Sequence, residues 1–350
     1  MKINKNFAEI INKIRNDNLE NRSHTREVVH WVEEHRLRSG AAKALVFILP
    51  TKGCSWALSN SGGCSICGYI YDNPQHTDFE KIIKTIRGAL KGKIEKEEKY
   101  SVKLFTSGSF LDNKEVPTEF QIAILEEIKI YDQIEEIVIE SRPEYISSKS
   151  LEILSKIIDI NKLEIAIGLE SSNNEILRNS INKGFYWEDF KKAVKTSINA
   201  GARVKAYLLF KPPFISEYNS VEDILRSISK VVEIGVDTVS INAISIHRGT
   251  YLSNLYEKNQ YRPPWLWSLF YLCKEIKMQF PKLRVICDIV AGGTERGAHN
   301  CGSCDKDLLN ILKEFTLTQN IDTLKQDVQC SCQNEWKSFL IHEKISISDL

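Results

Sequence analysis

The chain has 350 residues, 42% hydrophobic and 27% charged, enough apolar material for one sizeable domain with appendages or for two domains. Lysine and arginine number 47 against 46 aspartates and glutamates, so no chain-wide basic field exists and any nucleic-acid contact must be a local patch. No apolar run is long enough to cross a membrane, and the opening MKINKNFAEIINKIRNDN lacks the apolar core of a secretory leader, so no membrane contact and a cytoplasmic location are expected.

Residues 1–42 are expected to form an N-terminal helical segment. Ile3, Phe7, Ile10, Ile11 and Ile14 fall at helical spacing, punctuated by Arg15, Arg22, Arg26, Arg36 and Arg38. From residue 43 the rhythm changes. ALVFILP (44–50) is a short, continuously apolar run of the kind buried on both faces. A cysteine-bearing loop follows it, then a helix near 79–91. The next strands are VKLFTSGSF (102–110), EEIVIESRPE (135–144), LEIAIGLESSN (163–173), RVKAYLLFKPP (203–213) and VDTVSINAISI (236–246). Helices are expected between them at about 118–131, 149–158, 174–180 with 186–200, and 220–234. Such alternation argues an α/β fold: a parallel sheet with right-handed crossovers, closed or partly closed into a barrel. The barrel core is placed at 43–290 and a Cys-rich extension at 291–350.

In folds of this kind chemistry collects where strands end. Ser107 and Ser109 follow the second strand, Glu140, Ser141 and Arg142 close the third, Glu170 and Ser171 the fourth, Lys211 the fifth, and His247 and Arg248 the sixth. The loop after the first strand holds Cys54, Cys64 and Cys67 in a C-x9-C-x2-C pattern. Three thiolates can hold three irons of a cubane cluster and leave the fourth open, with a three-ligand catalytic zinc as the rival reading. A second set, Cys301, Cys304, Cys330 and Cys332, supplies four thiolates, enough for a closed tetrahedral zinc site. An auxiliary iron–sulfur cluster is its alternative, and His299 could replace one ligand. Cys273 and Cys287 lie in apolar surroundings and read as small buried hydrophobes. In YRPPWLWSLFYL (261–272) the helical spacing of Trp267, Phe270 and Tyr271 reads as a packed face rather than a base-stacking platform.

The cysteine loop, the sixfold alternation and the strand-end residues resemble the radical S-adenosylmethionine (radical SAM) superfamily, whose fold is a partial (βα)6 TIM-type barrel. The nine-residue first gap, ESRPE (140–144), IGLES (167–171) and LLFKPP (208–213) are similar to its elongator-type subfamily. Too few residues follow the barrel for the acetyltransferase domain of the elongator protein itself. GCSWALSNSGGCSICGY (53–69) and RGAHNCGSCD (296–305) are similar to the branch that finishes archaeosine in archaeal tRNA.

The resemblance implies that Cys54, Cys64 and Cys67 bind a [4Fe–4S] cluster whose open iron takes S-adenosylmethionine. It places Ser107, Gly108 and Ser109 of TSGSF at the methionine amino group, although TSGSF lacks the acidic residue common there. Glu140 and Arg142 are implied at the cofactor's ribose or carboxylate, Glu170 in the same cavity, and Ile66 against adenine. The implied substrate is a 7-deazaguanine in tRNA carrying lysine, whose C–N bond breaks after a 5′-deoxyadenosyl radical removes a hydrogen. The implied partners are tRNA, an electron donor such as ferredoxin or flavodoxin, and a lysine-transferring archaeosine synthase. Lys211, His247 and Arg248 are the candidates for the substrate's anionic groups, and no residue is singled out as catalytic. Two other readings compete: radical chemistry on another tRNA base or a small metabolite, and a non-catalytic zinc-bearing RNA or protein adaptor.

Overall fold

The computed structural model describes residues 2–20 and 22–348. Helix α1 (Lys2–Leu19) precedes a hairpin of β1 (Val29–Leu37) and β2 (Gly40–Ile48). There follow α2 (Phe79–Lys93), β3 (Tyr100–Phe105), α3 (Thr118–Ile128), β4 (Ile134–Glu140), α4 (Ser148–Ser155) and β5 (Leu163–Glu170). Next come α5 (Asn174–Ile176), α6 (Trp187–Asn199), β6 (Arg203–Phe210), α7 (Glu217–Glu233) and β7 (Thr238–Ala243). The chain continues through α8 (Tyr251–Glu257), α9 (Leu266–Gln279), β8 (Arg284–Ile286), α10 (Asp305–Thr318) and α11 (Cys332–Ser348). The strands lie in one sheet in sequence order, β1 to β8. The pairs β2–β3, β3–β4, β4–β5 and β7–β8 are parallel, as the alternation requires. This is the partial (βα)6 barrel class, with a cysteine-rich C-terminus.

One expectation is corrected. The segment 1–42 is helical only at Lys2–Leu19, and Val29–Leu37 is a strand antiparallel to β2. Leu37 pairs with Gly40 across the two-residue turn Arg38–Ser39, and Gly40 has φ +135°, a conformation that favours glycine. His35 and Leu37 are buried on alternate positions while Arg36 is not, which is strand rather than helix periodicity.

The chain divides into two compact units. One runs up to Gly168 and includes Glu188–Lys205; the other comprises Leu169–Trp187 and the chain from Ala206 onward. In the first, Asp78 caps α2 by accepting the Lys81 N–H, and Ile82, Ile86, Ala89 and Leu90 form its buried stripe. Each such large side chain contributes about 1.5–3 kcal/mol by leaving water. The strands also carry buried charge. Glu136, fully buried, accepts from Ser101 Oγ at 2.9 Å and faces His35 Nε2 at 3.0 Å, while Lys205 pairs with Glu164 at 2.7 Å. In the second unit α9 buries Leu266, Trp267, Leu269, Leu272 and Ile276, and Ser216 caps α7. Cys273 and Cys287 are buried as expected of small hydrophobes. Among the described residues no helix is long and apolar enough to cross a membrane.

Candidate functional site

In the first unit the three-cysteine loop lies against the loop after β3. Gly108 shows how closely: a Cβ there would stand 2.6 Å from Cys54 Cα and 2.3 Å from Glu115 Oε2. Only glycine fits, and TSGSF therefore presents backbone to the cysteine loop. Ser109 N donates to Glu115 Oε2 at 2.6 Å, and Thr51 Oγ1 donates to Glu115 Oε1 at 2.7 Å. Burial pushes the Glu115 carboxyl up to about 7, against the pull of those donors. TSGSF has no acidic residue of its own, and the following turn supplies one. Ser109 Oγ accepts from Arg142 N at 2.9 Å, which joins the ends of β3 and β4. Ser107 Oγ donates to Asn73 Oδ1 at 2.6 Å. Arg142 is buried, pairs with Glu144 at 2.5 Å and lies 5.4 Å from the Trp56 ring centroid. Burial pulls the Arg142 guanidinium down, but Glu144 and the charges of Cys54 and Cys64 outweigh it and hold its pKa above the ordinary value. Glu140 is the last residue of β4, and Ile66 is half-buried between Cys64 and Cys67.

None of the three thiols is in a disulfide. Burial pushes the Cys54 thiol up to about 12, so a bound cation must supply the charge that makes it a thiolate ligand. The donor set and the cradle at Gly108 fit an iron–sulfur cluster with an open position.

Arg15, one of the arginines that punctuate the N-terminal segment, is 2% exposed. Its Nε donates to Gly62 O at 2.8 Å and its Nη2 to Cys64 O at 3.2 Å, with the guanidinium 5.0 Å from the Tyr71 ring centroid. A Cβ on Gly62 would stand 2.5 Å from Asn12 Cα, so α1 packs directly on the cysteine loop. Hydrogen bonds from a charged donor contribute about 1.5–3 kcal/mol. Arg15→Ala is therefore expected to assemble the cluster but lose iron to a chelator about 10- to 100-fold faster, with Arg15→Lys in between. Unchanged release kinetics would remove Arg15 from this role. Only contacts between remote segments reveal the two: Arg15 reaches the cysteine loop from α1, and Glu115 meets Thr51 from the turn after β3; no local motif marks either.

In the second unit Glu170 ends β5 with φ 69° and pairs with Lys183 at 2.7 Å. Lys211, expected to meet a substrate anion, is buried with φ 62° and its Nζ is 2.8 Å from Glu217 Oε2. That contact is an ion pair rather than a well-angled hydrogen bond, since Glu217 Oε2 has no directed donor. Glu217 Oε1 accepts from Trp265 N at 2.9 Å and Ser268 Oγ at 2.7 Å. The Lys211 charge is thus already neutralised. His247 Nε2 is 2.9 Å from Ser245 Oγ, and Arg248 is exposed. The thiols of Cys301, Cys304, Cys330 and Cys332 all lie within 4.8 Å of one another, a group able to hold a metal. The backbone N–H of Ser303 lowers Cys301 to about 7. Burial raises Cys304 and Cys332.

Residues 48–214 match the Radical SAM superfamily. The archaeosine synthase subunit beta of Methanosarcina acetivorans is 38% identical over 311 residues, 89% of this chain and 88% of that one. Its counterpart from Thermococcus kodakarensis is 39% identical over 313 residues, 89% of this chain and 95% of that one. The structure of Elp3 from Methanocaldococcus infernus superposes with a TM-score of 0.50 at 18% identity, over 68% of this chain and 58% of that one, a likeness of fold. The chain belongs to the radical SAM superfamily and, within it, to the family of these archaeosine synthase beta subunits.

Proposed function

We propose that the chain is a tRNA-modifying radical SAM enzyme that completes archaeosine, breaking the lysine C–N bond of a 7-deazaguanine that carries lysine. The reading rests on the 38–39% identity, over 89% of this chain, to two proteins named archaeosine synthase subunit beta. With a [4Fe–4S] cluster on Cys54, Cys64 and Cys67 and S-adenosylmethionine bound, the chemistry supplied is a 5′-deoxyadenosyl radical able to take hydrogen from carbon.

The chain's own residues do the positioning. Ser107, Gly108 and Ser109 present the loop after β3 to the cofactor's amino group, and Glu115 places a carboxyl against that loop. Glu140 and Arg142 are assigned to its ribose or carboxylate, and Ile66 to its adenine. Burial of Ser109 and Arg142 keeps water from these contacts. Glu170 is assigned to the cofactor, and His247 and Arg248 to the substrate, with Arg248 an exposed cation for phosphate. Lys211 serves by holding Glu217. The four C-terminal thiolates carry a metal of their own, zinc in our reading. The partners are tRNA, a subunit that attaches the lysine, and a small electron carrier such as ferredoxin or flavodoxin, all in the cytoplasm.

The test is anaerobic incubation of the reconstituted protein with lysine-bearing tRNA, S-adenosylmethionine and a reductant, followed by mass spectrometry of the digested nucleosides. Archaeosine formed together with 5′-deoxyadenosine is the expected result. Release of 5′-deoxyadenosine with the modified base unchanged would move the chemistry to another substrate.

A further inference from the structure

The second cysteine set has a spacing that separates its possible occupants. Cys301 Sγ is 3.5 Å from Cys330 Sγ, Cys304 Sγ is 3.6 Å from Cys332 Sγ, and Cys330 and Cys332 are 3.3 Å apart. No pair exceeds 4.8 Å. Four thiolates about 2.3 Å from one zinc ion form a tetrahedron with edges of about 3.8 Å. A cubane cluster seats each thiolate on its own iron, which spreads the sulfurs to roughly 6 Å. These sulfurs converge on one point.

The surroundings suit the anionic tetrathiolate that would result. Trp267 Nε1 donates to Cys332 Sγ at 3.2 Å, and Asn300 Nδ2 donates to Cys304 Sγ at 3.3 Å. Cys304 immediately precedes α10 and Cys332 opens α11, so two ligands stand at positive helix N-termini.

We propose that Cys301, Cys304, Cys330 and Cys332 hold one zinc ion in a closed site, and that this ion fastens the start of α11 to the start of α10 and sets Cys332 against Trp267 of α9, on the path to the end of β6. The path is continuous within the second unit. Helix α11 carries Trp336, whose Nε1 donates to Ser268 Oγ at 2.8 Å. Ser268 Oγ donates to Glu217, which holds Lys211 just after β6. Glu343 of α11 also accepts from Tyr218 N at 2.8 Å, at the first turn of α7. The ion is structural: all four positions are filled by protein, so it has no vacancy for a substrate.

This site is independent of the reaction assigned to the other cysteines, and its test is kept apart from activity. The variant Cys54→Ala/Cys64→Ala/Cys67→Ala, purified anaerobically as the full chain, lacks the first thiolate set. Elemental analysis should find about one zinc and almost no iron per chain. Titration with a mercurial should release that zinc as the four C-terminal thiols react. Exchange for cobalt(II) should produce the intense charge-transfer absorption of a tetrathiolate. Adding Cys304→Ser and Cys330→Ser should lower zinc to under a tenth, and hydrogen exchange should quicken in α11 and the first turn of α7. Iron with labile sulfide at these four cysteines, or two disulfides and no metal, would overturn the proposal. So would zinc release that leaves exchange in α11 unchanged, since the ion would then fasten nothing.

Discussion

Cys64→Ala is expected to yield a protein that stays colourless after anaerobic reconstitution with iron and sulfide, where the parent chain should take up about four irons in this site. The cause is the count of donors. Cys54 and Cys67 alone would leave two irons without a protein thiolate, and the half-buried Cys54 thiol is pushed up to about 12, so bound cationic charge favours its ionisation. Release of 5′-deoxyadenosine should fall at least about 1,000-fold, because the positioned cofactor supplies all of the radical chemistry. Circular dichroism should be unchanged, since Cys64 is only partly buried and its loop is also held by Arg15 through backbone carbonyls. The metal content of the proposed zinc site at the C-terminal cysteines should be unchanged and would serve as the internal control. Cofactor cleavage surviving in this variant would end the assignment of Cys64 as a ligand.

Glu217→Ala is the change expected to cost the second unit most. Glu217 is fully buried and receives Trp265 N and Ser268 Oγ on one oxygen while the other faces the Lys211 ammonium. Removing it strands a cation 7% exposed, a loss of about 3–5 kcal/mol for a broken buried pair. Hydrogen exchange across α7 and α9 measures this locally, without requiring the whole chain to unfold in one step. The double variant Lys211→Met/Glu217→Leu should recover much of the loss, because removing both charges also removes the desolvation cost. A Glu217→Ala protein as stable as the parent to within about 1 kcal/mol would return Lys211 to the substrate-binding candidates.

The alternation of short apolar runs with helical stretches was enough to place strands β2 to β7 and most of the helices between them. Most positions of β3 to β7 are buried, as continuous apolar runs require. The three-cysteine loop was equally visible, because Cys54, Cys64 and Cys67 fall within fourteen positions. The N-terminal hairpin was not. VHWVEEHRL has no continuous apolar run, and only its pairing with β2 makes it a strand.

Arg15 and Glu115 were missed for a related reason. Arg15 meets Gly62 across 47 positions, and Glu115 meets Thr51 across 64, so no spacing rule connects them. Lys211 at a strand end looked like a free cation until Glu217 was found against it. The C-terminal cysteines stand between these cases: their number and pairing were legible as a metal site, but the distances between sulfurs were not. Sequence by itself determined which residues can bind metal and on which loops they lie, because those are properties of local composition and order. Tertiary structure alone decided which charges are already paired and how tightly the thiols converge, because burial and distance arise only when remote segments pack.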